Sequence, residues 1–553
     1  MNKYINKAFA GIAIAVSAIS LTSCGSDYLD TAPTESAAAA AAVESYGNAI
    51  KSLNGIAKSM SIQQSYYGQG FAGENAIMRI YENLPSQNYN YNAYAGGWAD
   101  IHNQELHLRS DSKYDHYAWF YYYQIISQAN AIIAHIADMK GTQEEKDAIK
   151  ASALTFRAYG FEKLMHYYCY RWQDSNNGAE RGIVLRLDES IGNHKIATMA
   201  ESYAQIYKDL DEAIQLYASS GKVGKRDPEK VWMPSVNVAH AVYARAALTK
   251  QDYKVALEHA KLAREGYALM NGDEERAGFC RPTSEWILGS YGDPQEQNWY
   301  WAYAVQGACN GYYAKAADTG AGTMGAELLD KIPTKDARKK MYLAPDQIVN
   351  SSGTAFITRT NAEQVNQTFG VINDNTEAYK AASKYVEENS VAGLAKPYQS
   401  GVLYLDGQLK FWAIDQPGVS YVPFIRSSEM VLIEAEANYF LNNASGAQAS
   451  LVELNATSGR NPAYTCTLTG AELLKEIQTY RCFELWGEGF EWSDFKRWNL
   501  PIVRKTFDKG GNAHPSVAVT IEPQDANKWT WEIPKAESDF NDFGADLTQP
   551  KAP

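Results

Sequence analysis

Two groups of residues in this chain have types and spacings that could do chemistry. Near the C-terminus, Glu484, Glu488, Glu491 and Asp494 recur at four- and three-residue intervals. On a helix they would share one face, as carboxylates paired for acid and base work on a glycosidic bond must. Arg481, Lys496 and Arg497 are interleaved with them, and cations at those positions make the acids members of a structural ion-pair network. We therefore read this segment as a brace and assign no catalytic residue.

The second group is aromatic. A pyranose ring offers a face of C–H groups to an aromatic plane, while its hydroxyls need polar partners at the rim. Tryptophan and tyrosine in polar loops are thus the signature of sugar capture. In EQNWYWAYAVQGACNGYY, Trp299, Tyr300, Trp301 and Tyr303 stand among glutamine and asparagine, and alternation sends Trp299 and Trp301 to one face and Tyr300 to the other. In SQNYNYNAYAGGWADIHNQ, Tyr89, Tyr91, Tyr94 and Trp98 lie among asparagines and Gly96-Gly97. Trp98 is the leading single candidate, with Trp299, Tyr300, Trp301, Tyr91 and Tyr94 as the other glycan-binding candidates. Trp286, in SEWILGS, belongs to a buried strand by its apolar neighbours. Two or three stacked rings and a few hydrogen bonds, each about 1 kcal/mol net, give affinities of roughly micromolar to millimolar.

Other chemistry is missing from the sequence. There is no H-E-x-x-H, no G-x-S-x-G and no phosphate-binding glycine loop. His102, His107, His135 and His166 are scattered, and Asn373-Asp374-Asn375 lacks the spacing of a calcium loop. Beyond Cys24 the cysteines are Cys169, Cys280, Cys309, Cys466 and Cys482, an odd number without C-x-x-C spacing, read as mostly free, buried thiols. No cofactor and no metal is expected.

The elements that must position these groups begin with a leader. Lys3 and Lys7 precede the apolar stretch Ala8 to Ser20, and Leu21-Thr22-Ser23-Cys24 follows. Residues 1–23 have the form of a lipoprotein signal peptide, with Cys24 the lipidation site. The apolar stretch is 13 residues long, against about 20 for a membrane span. Losing Lys3 and Lys7 takes the net charge from −13 to −15, a surface that repels nucleic acid. Residues 24–35 form an extended tether, and 36–553 read as one domain with no linker dividing it. The 38 tyrosines and 13 tryptophans suit a large amphipathic binding surface.

The first helix is expected from Ser36, as N-cap, to about Ser52. Helical period then dominates roughly 115–270 and 426–490. Trp119, Tyr122, Ile126, Ala129 and Ile133 form one apolar face, and Ile149, Leu154, Ala158 and Phe161 form that of a second helix, making a pair. SVNVAHAVYARAALTKQDYKVALEHAKLAREGY breaks at Lys250-Gln251-Asp252, with alanines that let two helices approach. SYAQIYKDLDEAIQLY, from Ser202, and the segment from Arg426 repeat this grammar, so the scaffold reads as degenerate tetratricopeptide-like pairs. Residues 271–425 are a loop-rich insertion with short strands, GTAFITRT among them, and helix only around Thr376 to Glu388.

Residues 472–499, ELLKEIQTYRCFELWGEGFEWSDFKRWN, resemble the C-terminal signature of the SusD/RagB family, with Arg481, Glu484, Leu485, Glu488, Gly489, Asp494, Arg497 and Trp498 in register. DYLDTAP after Cys24, the pattern from Trp119 to Asn130, FRAYGFEKL at Phe156, KDLDEAI at Lys208, RSSEMVLIEAEA at Arg426 and WEIPKAE at Trp531 agree in order, so the resemblance spans nearly the whole chain. It implies a mostly α, SusD-like fold with four tetratricopeptide-like helix pairs (scaffold about 36–270 and 426–500) and the loop-rich insertion with short strands. It also implies a surface-facing lipoprotein of the outer membrane that captures oligosaccharide or polysaccharide and passes it to a SusC-like TonB-dependent transporter. The alternatives are a peptide or other nutrient as ligand in the same complex and, in another class, a surface glycoside hydrolase.

Overall fold

The computed structural model describes residues 39–64, 66–68, 70–91, 98–190, 192–276, 279–292, 322–389, 402–412, 420–541 and 543. Cys24, Ser36, Tyr94, Trp299, Tyr300, Trp301 and Cys309 lie outside them. Helix α1 spans Tyr46–Ser59, and its N-cap is Ser45, whose hydroxyl accepts from the Asn48 amide. Residues 39–42 are helical as well, so the helix expected from Ser36 to about Ser52 is broken at 43–45 and resumes as α1. The chain turns before it because Glu44 is held to Lys140 twice, through its carbonyl and through its carboxylate.

Among the described residues ten α-helices of eight or more residues follow: α2 Lys113–His135, α3 Gln143–Tyr168, α4 Met199–Ser219, α5 Val236–Thr249, α6 Tyr253–Ala263, α7 Glu377–Glu388, α8 Ser427–Phe440, α9 Ala444–Val452, α10 Gly470–Glu484 and α11 Glu491–Trp498. Their starts are encoded locally. Thr142 and Glu145 form a reciprocal capping box at α3, and Thr198 and Glu201 form another at α4. The turn between α5 and α6 places Gln251 at φ 65°, and α6 faces back with Ala256, Ala260 and Ala263 fully buried.

The helices stack in one continuous series, α2 on α3, then α4, α5, α6, α8, α9 and α10. Successive helices of the series bury their apolar faces against one another, the repeat arrangement in which each unit covers its neighbours. The series passes directly from α6 to α8 although the insertion separates them in sequence. The described strands are β1 Tyr89–Tyr91, β2 Arg181–Val184, β3 Ile196–Thr198, β4 Trp286–Gly289, β5 Gly322–Met324, β6 Val365–Asn366, β7 Val371–Ile372, β8 Pro423–Arg426, β9 Ile502–Val503 and β10 Thr520–Ile521; β4 and β8 pair antiparallel at the base of that insertion, so it leaves and re-enters the scaffold at one point. Helices α2 and α3 are buried well beyond a single stripe: Tyr117, Tyr121, Tyr122, Ile125 and Ile126 are all inaccessible.

The insertion carries its own small core of Leu343, Ile348, Ile372, Leu405 and Trp412. Its helix α7 begins at the Thr376 N-cap. GTAFITRT forms no strand; Ala355 makes only an isolated bridge to Val349. Trp286 is fully buried in β4. Cys169, Cys466 and Cys482 are free thiols, and Cys169, Cys280 and Cys482 are buried. Among the described residues no helix is long and apolar enough to cross a membrane.

Candidate functional site: an aromatic ridge beside the first long helix

Between α1 and the short helix Gly73–Ile77 the chain makes a tight loop. Gln63 bridges Ala72, and the Gln64 amide donates to the Phe71 carbonyl at 2.7 Å. Gly68 and Gly70 supply φ values of 82° and 93° within the loop, conformations that cost a side-chain-bearing residue about 1–2 kcal/mol. The closed loop carries Tyr66 and Tyr67 outward while Phe71 anchors its base.

Helix α2 supplies the other wall. Its N-cap Ser112 accepts from the Tyr114 amide, and one edge of its first turns presents Lys113, Tyr114, Tyr117 and Phe120. Rings from loop and helix form a continuous chain. Tyr66 stacks on Phe120 with centroids 5.9 Å apart; Tyr67 meets Phe120 at 5.3 Å and Phe71 at 5.5 Å; Phe71 meets Tyr114 at 5.4 Å; and Tyr114 meets Trp98 edge-on at 6.0 Å. Exposure grades along it, from Tyr66 at 82% and Phe120 at 39% to buried Phe71 at 2%. Tyr67, Tyr114 and Trp98 are half-buried.

Cations punctuate the ridge. The Arg79 guanidinium carbon lies 4.5 Å from the Trp98 ring centroid, and Lys113 Nζ lies 5.1 Å from the Phe71 ring and 5.3 Å from Tyr114. An open stack of rings flanked by donors satisfies both halves of the requirement for sugar capture.

Of the residues chosen from sequence, Trp98 is in this ridge, at its inner end. It is less open than its polar loop suggests, because Arg79 occupies one of its faces and Tyr114 its edge. Tyr91 ends β1 (Tyr89–Tyr91), which pairs with Gly322–Met324. Tyr94, Trp299, Tyr300 and Trp301 fall outside the described residues. The outer platform, Tyr66 and Phe120, was missed. Tyr66 carried the same signal as the chosen loops, two tyrosines between glutamines and glycines in QQSYYGQG. Phe120 sits in a run so aromatic, WFYYY, that period alone does not separate its faces.

The acidic segment is built differently. It is two helices, α10 and α11, divided by a turn in which Gly487 and Gly489 have φ of 77° and 82°. Glu484 is fully buried among Arg338, Arg426 and Arg460, and those three guanidinium groups hold its carboxyl well below the usual range against the opposing effect of burial. Glu488 pairs with Lys410 at 2.6 Å and Arg426 at 2.7 Å. Asp494 pairs with Arg481 and Arg497. Glu491 forms no ion pair among the described residues; it accepts from the backbone amides of Gln87 and Asn88, and burial pushes its pKa up to about 7. Lys496, expected as a partner of these acids, instead donates to the carbonyls of His166 and Cys169. Most partners of Glu484 and Glu488 come from the insertion and from β8, so these ion pairs bind insertion to scaffold. Glu484 and Glu488, at the centre of these pairs, are buried.

Two family models match the amino-acid sequence of the chain. One, described as "Starch-binding associating with outer membrane", covers residues 27–246, and the other, described as "SusD family", covers 263–543. The chain belongs to the SusD family. Similar solved structures include a SusD-like carbohydrate binding protein from Bacteroides vulgatus, 19% identical, with 92% of this chain and 99% of that one covered at a TM-score of 0.70. A SusD superfamily protein from Bacteroides thetaiotaomicron is likewise 19% identical, over 92% and 100% of the chains, with a TM-score of 0.67. No curated protein matches the chain.

Proposed function

We propose that the chain is a non-catalytic glycan-binding lipoprotein that captures oligosaccharide or polysaccharide at the cell surface and delivers it to a SusC-like TonB-dependent transporter. The observation that carries this reading is the Tyr66–Phe120 stack, two large rings open to water and joined through Tyr67, Phe71 and Tyr114 to Trp98. A large aromatic surface left exposed costs solvation free energy unless a ligand covers it. Trp299, Tyr300, Trp301, Tyr91 and Tyr94 are proposed to extend the platform. The similar B. vulgatus structure, named as carbohydrate binding, supports the ligand class.

In this reading Cys24 is acylated and holds the protein at the outer membrane, where tethering raises the effective concentration of captured glycan and offsets modest intrinsic affinity. The hydrolase alternative needs two accessible acids in an aromatic cleft, whereas Glu484 and Glu488 are buried and paired with cations.

The test is a glycan array probed with the purified full chain, alongside a peptide array and a turnover assay on the polysaccharides that bind. Saturable glycan binding that is clearly weakened in Tyr66→Ala/Phe120→Ala, without released sugar, is expected. Binding to peptides alone, or release of oligosaccharide, would overturn the proposal.

A further inference from the structure

A second concavity lies away from the ridge and shares no residue with it. It is a cleft of about 390 Å³ between the insertion, α10, α11 and the segment that follows α11, within the range of roughly 300–1,000 Å³ typical of small-ligand sites. Its floor is apolar, made by Leu328, Leu474 and Leu500 with the half-buried ring of Trp498. Arg497 covers one side of that indole, 4.9 Å from its centroid, and the Nε1 donates to Glu436, so the ring is fixed in place and its remaining surface lines the cleft.

The rim is polar and carries positive charge. Lys331 and Lys475 are exposed lining residues without an ion pair among the described residues, and the Gln478 side chain makes no hydrogen bond among them. The Gln87 amide oxygen is occupied by the Val503 amide, which leaves its NH₂ group for a ligand. The acid on the same rim, Glu327, is neutralised by Lys505 at 2.6 Å. Burial pushes the Cys482 thiol up, and Lys331 is one of the cations that pull it back, which puts that ammonium close to the cleft wall. A net-negative chain thus holds two unpaired ammonium groups over an aromatic and leucine floor, with amide donors beside them.

We infer that this cleft is a second ligand site, specific for the carboxylate-bearing unit of an acidic sugar. The carboxylate sits between Lys331 and Lys475, the apolar face of the ring lies on Trp498 and Leu474, and hydroxyls accept from Gln87 and Gln478. Site and ligand class are independent of the ridge, so a neutral glycan there and an acidic one here can be bound together.

The probe is digalacturonate, titrated calorimetrically into the full chain, with the neutral disaccharide of galactose as control. Expected is saturable one-to-one binding of the acidic sugar only. Two solvent-edged charge contacts together are worth about tenfold in affinity, so Lys331→Gln/Lys475→Gln should weaken it by about that factor, and added salt should weaken it in the same direction. Both lysines are exposed, so the double variant keeps its fold. Tyr66→Ala/Phe120→Ala should bind the acidic sugar unchanged. Absence of saturable binding, equal binding by the double lysine variant, or loss only in the ridge variant would each overturn the assignment, and none of them bears on neutral glycans at the ridge.

Discussion

Arg426 and Glu488 meet in a two-pronged ion pair, Nε to Oε2 at 2.7 Å and Nη2 to Oε1 at 2.8 Å, with 1% and 3% of their side chains exposed. Arg426 ends β8 and Glu488 lies in the turn between α10 and α11, so the pair joins the exit of the insertion to the C-terminal helices. Lys410 adds a third member from within the insertion, donating to Glu488 Oε1 at 2.6 Å. Removing one member of such a cluster leaves a buried charge without its counter-ion, at a cost of about 3–5 kcal/mol. Glu488→Gln should therefore shift chemical unfolding by roughly that amount, read from the denaturant midpoint. Glycan affinity of the protein that remains folded should be unchanged, because the ridge shares no residue with the cluster. A selective loss of binding at full stability would reassign Glu488 to the ligand.

Stability should also fall as pH rises through neutrality. Burial raises Glu82, Glu162 and Glu491 to about 7, and burial together with the nearby Glu484 charge raises Glu275 to about 8, from an unfolded value near 4.5. Between those limits the folded chain holds protons that the unfolded chain has released, so the stabilisation is full below about pH 4.5 and is lost as pH passes 7 to 8. Lys496, lowered to about 8 by burial, acts with the opposite sign above that pH, and the imidazoles of His102, His107 and His166, which burial lowers well below 6.5, act with the opposite sign up to about 6.5, so the four acids dominate between about pH 7 and 8. A lower melting temperature at pH 8 than at pH 7 is expected, with a shallower slope in Glu275→Gln. A flat or rising profile over this interval would contradict the assignment of protons to these acids.

Much of the frame was legible because its signals are local. The threonine caps of α3 and α4, the break at Lys250-Gln251-Asp252 and the strand around Trp286 are each written within a few residues. What could not be read is long-range. Arg338, Lys410 and Arg460 lie far from Glu484 and Glu488 in sequence, and nothing near them announces that they converge; the visible cations Arg481, Lys496 and Arg497 suggested a closer set of partners. The break at 43–45 in the first helix was not legible for the same reason, since Lys140, nearly a hundred residues away, fixes the turn at Glu44. The ridge was half-legible. Trp98 stood out in a polar loop, but Phe120 becomes a platform only because Tyr66 is folded against it.

Gly489 is a position where nothing but glycine fits. Its φ is 82°, and a Cβ there would stand 2.7 Å from Met78 Cγ, 3.0 Å from Met78 Cβ and 3.1 Å from Met78 Cα. The left-handed backbone alone costs alanine about 1–2 kcal/mol, and two of the three contacts are with atoms that no rotamer change can move. Gly489→Ala should lower stability by about 2 kcal/mol or more. Gly510, also left-handed at φ 81° but with open space around it, is the internal control: Gly510→Ala should show the backbone cost without the overlap. Equal losses by thermal unfolding would mean that the chain relaxes around Met78.

The ridge divides ligand energetics from stability in a way two single variants can separate. Tyr66 is 82% exposed, so its truncation removes little packing, and Tyr66→Ala should leave the melting temperature nearly unchanged. A stacked ring contributes about 1 kcal/mol to sugar binding, which corresponds to roughly a fivefold loss of affinity. Phe120 is more enclosed, touching both Tyr66 and Tyr67, so Phe120→Ala should lose a similar factor in affinity together with a measurable part of its stability. Because the two rings support one stack, the double variant should lose less than the product of the single losses. Calorimetric titration of all three variants with one bound glycan measures this coupling; strictly independent losses would mean that Tyr66 and Phe120 contact the sugar at separate places and that the stack is not a single platform.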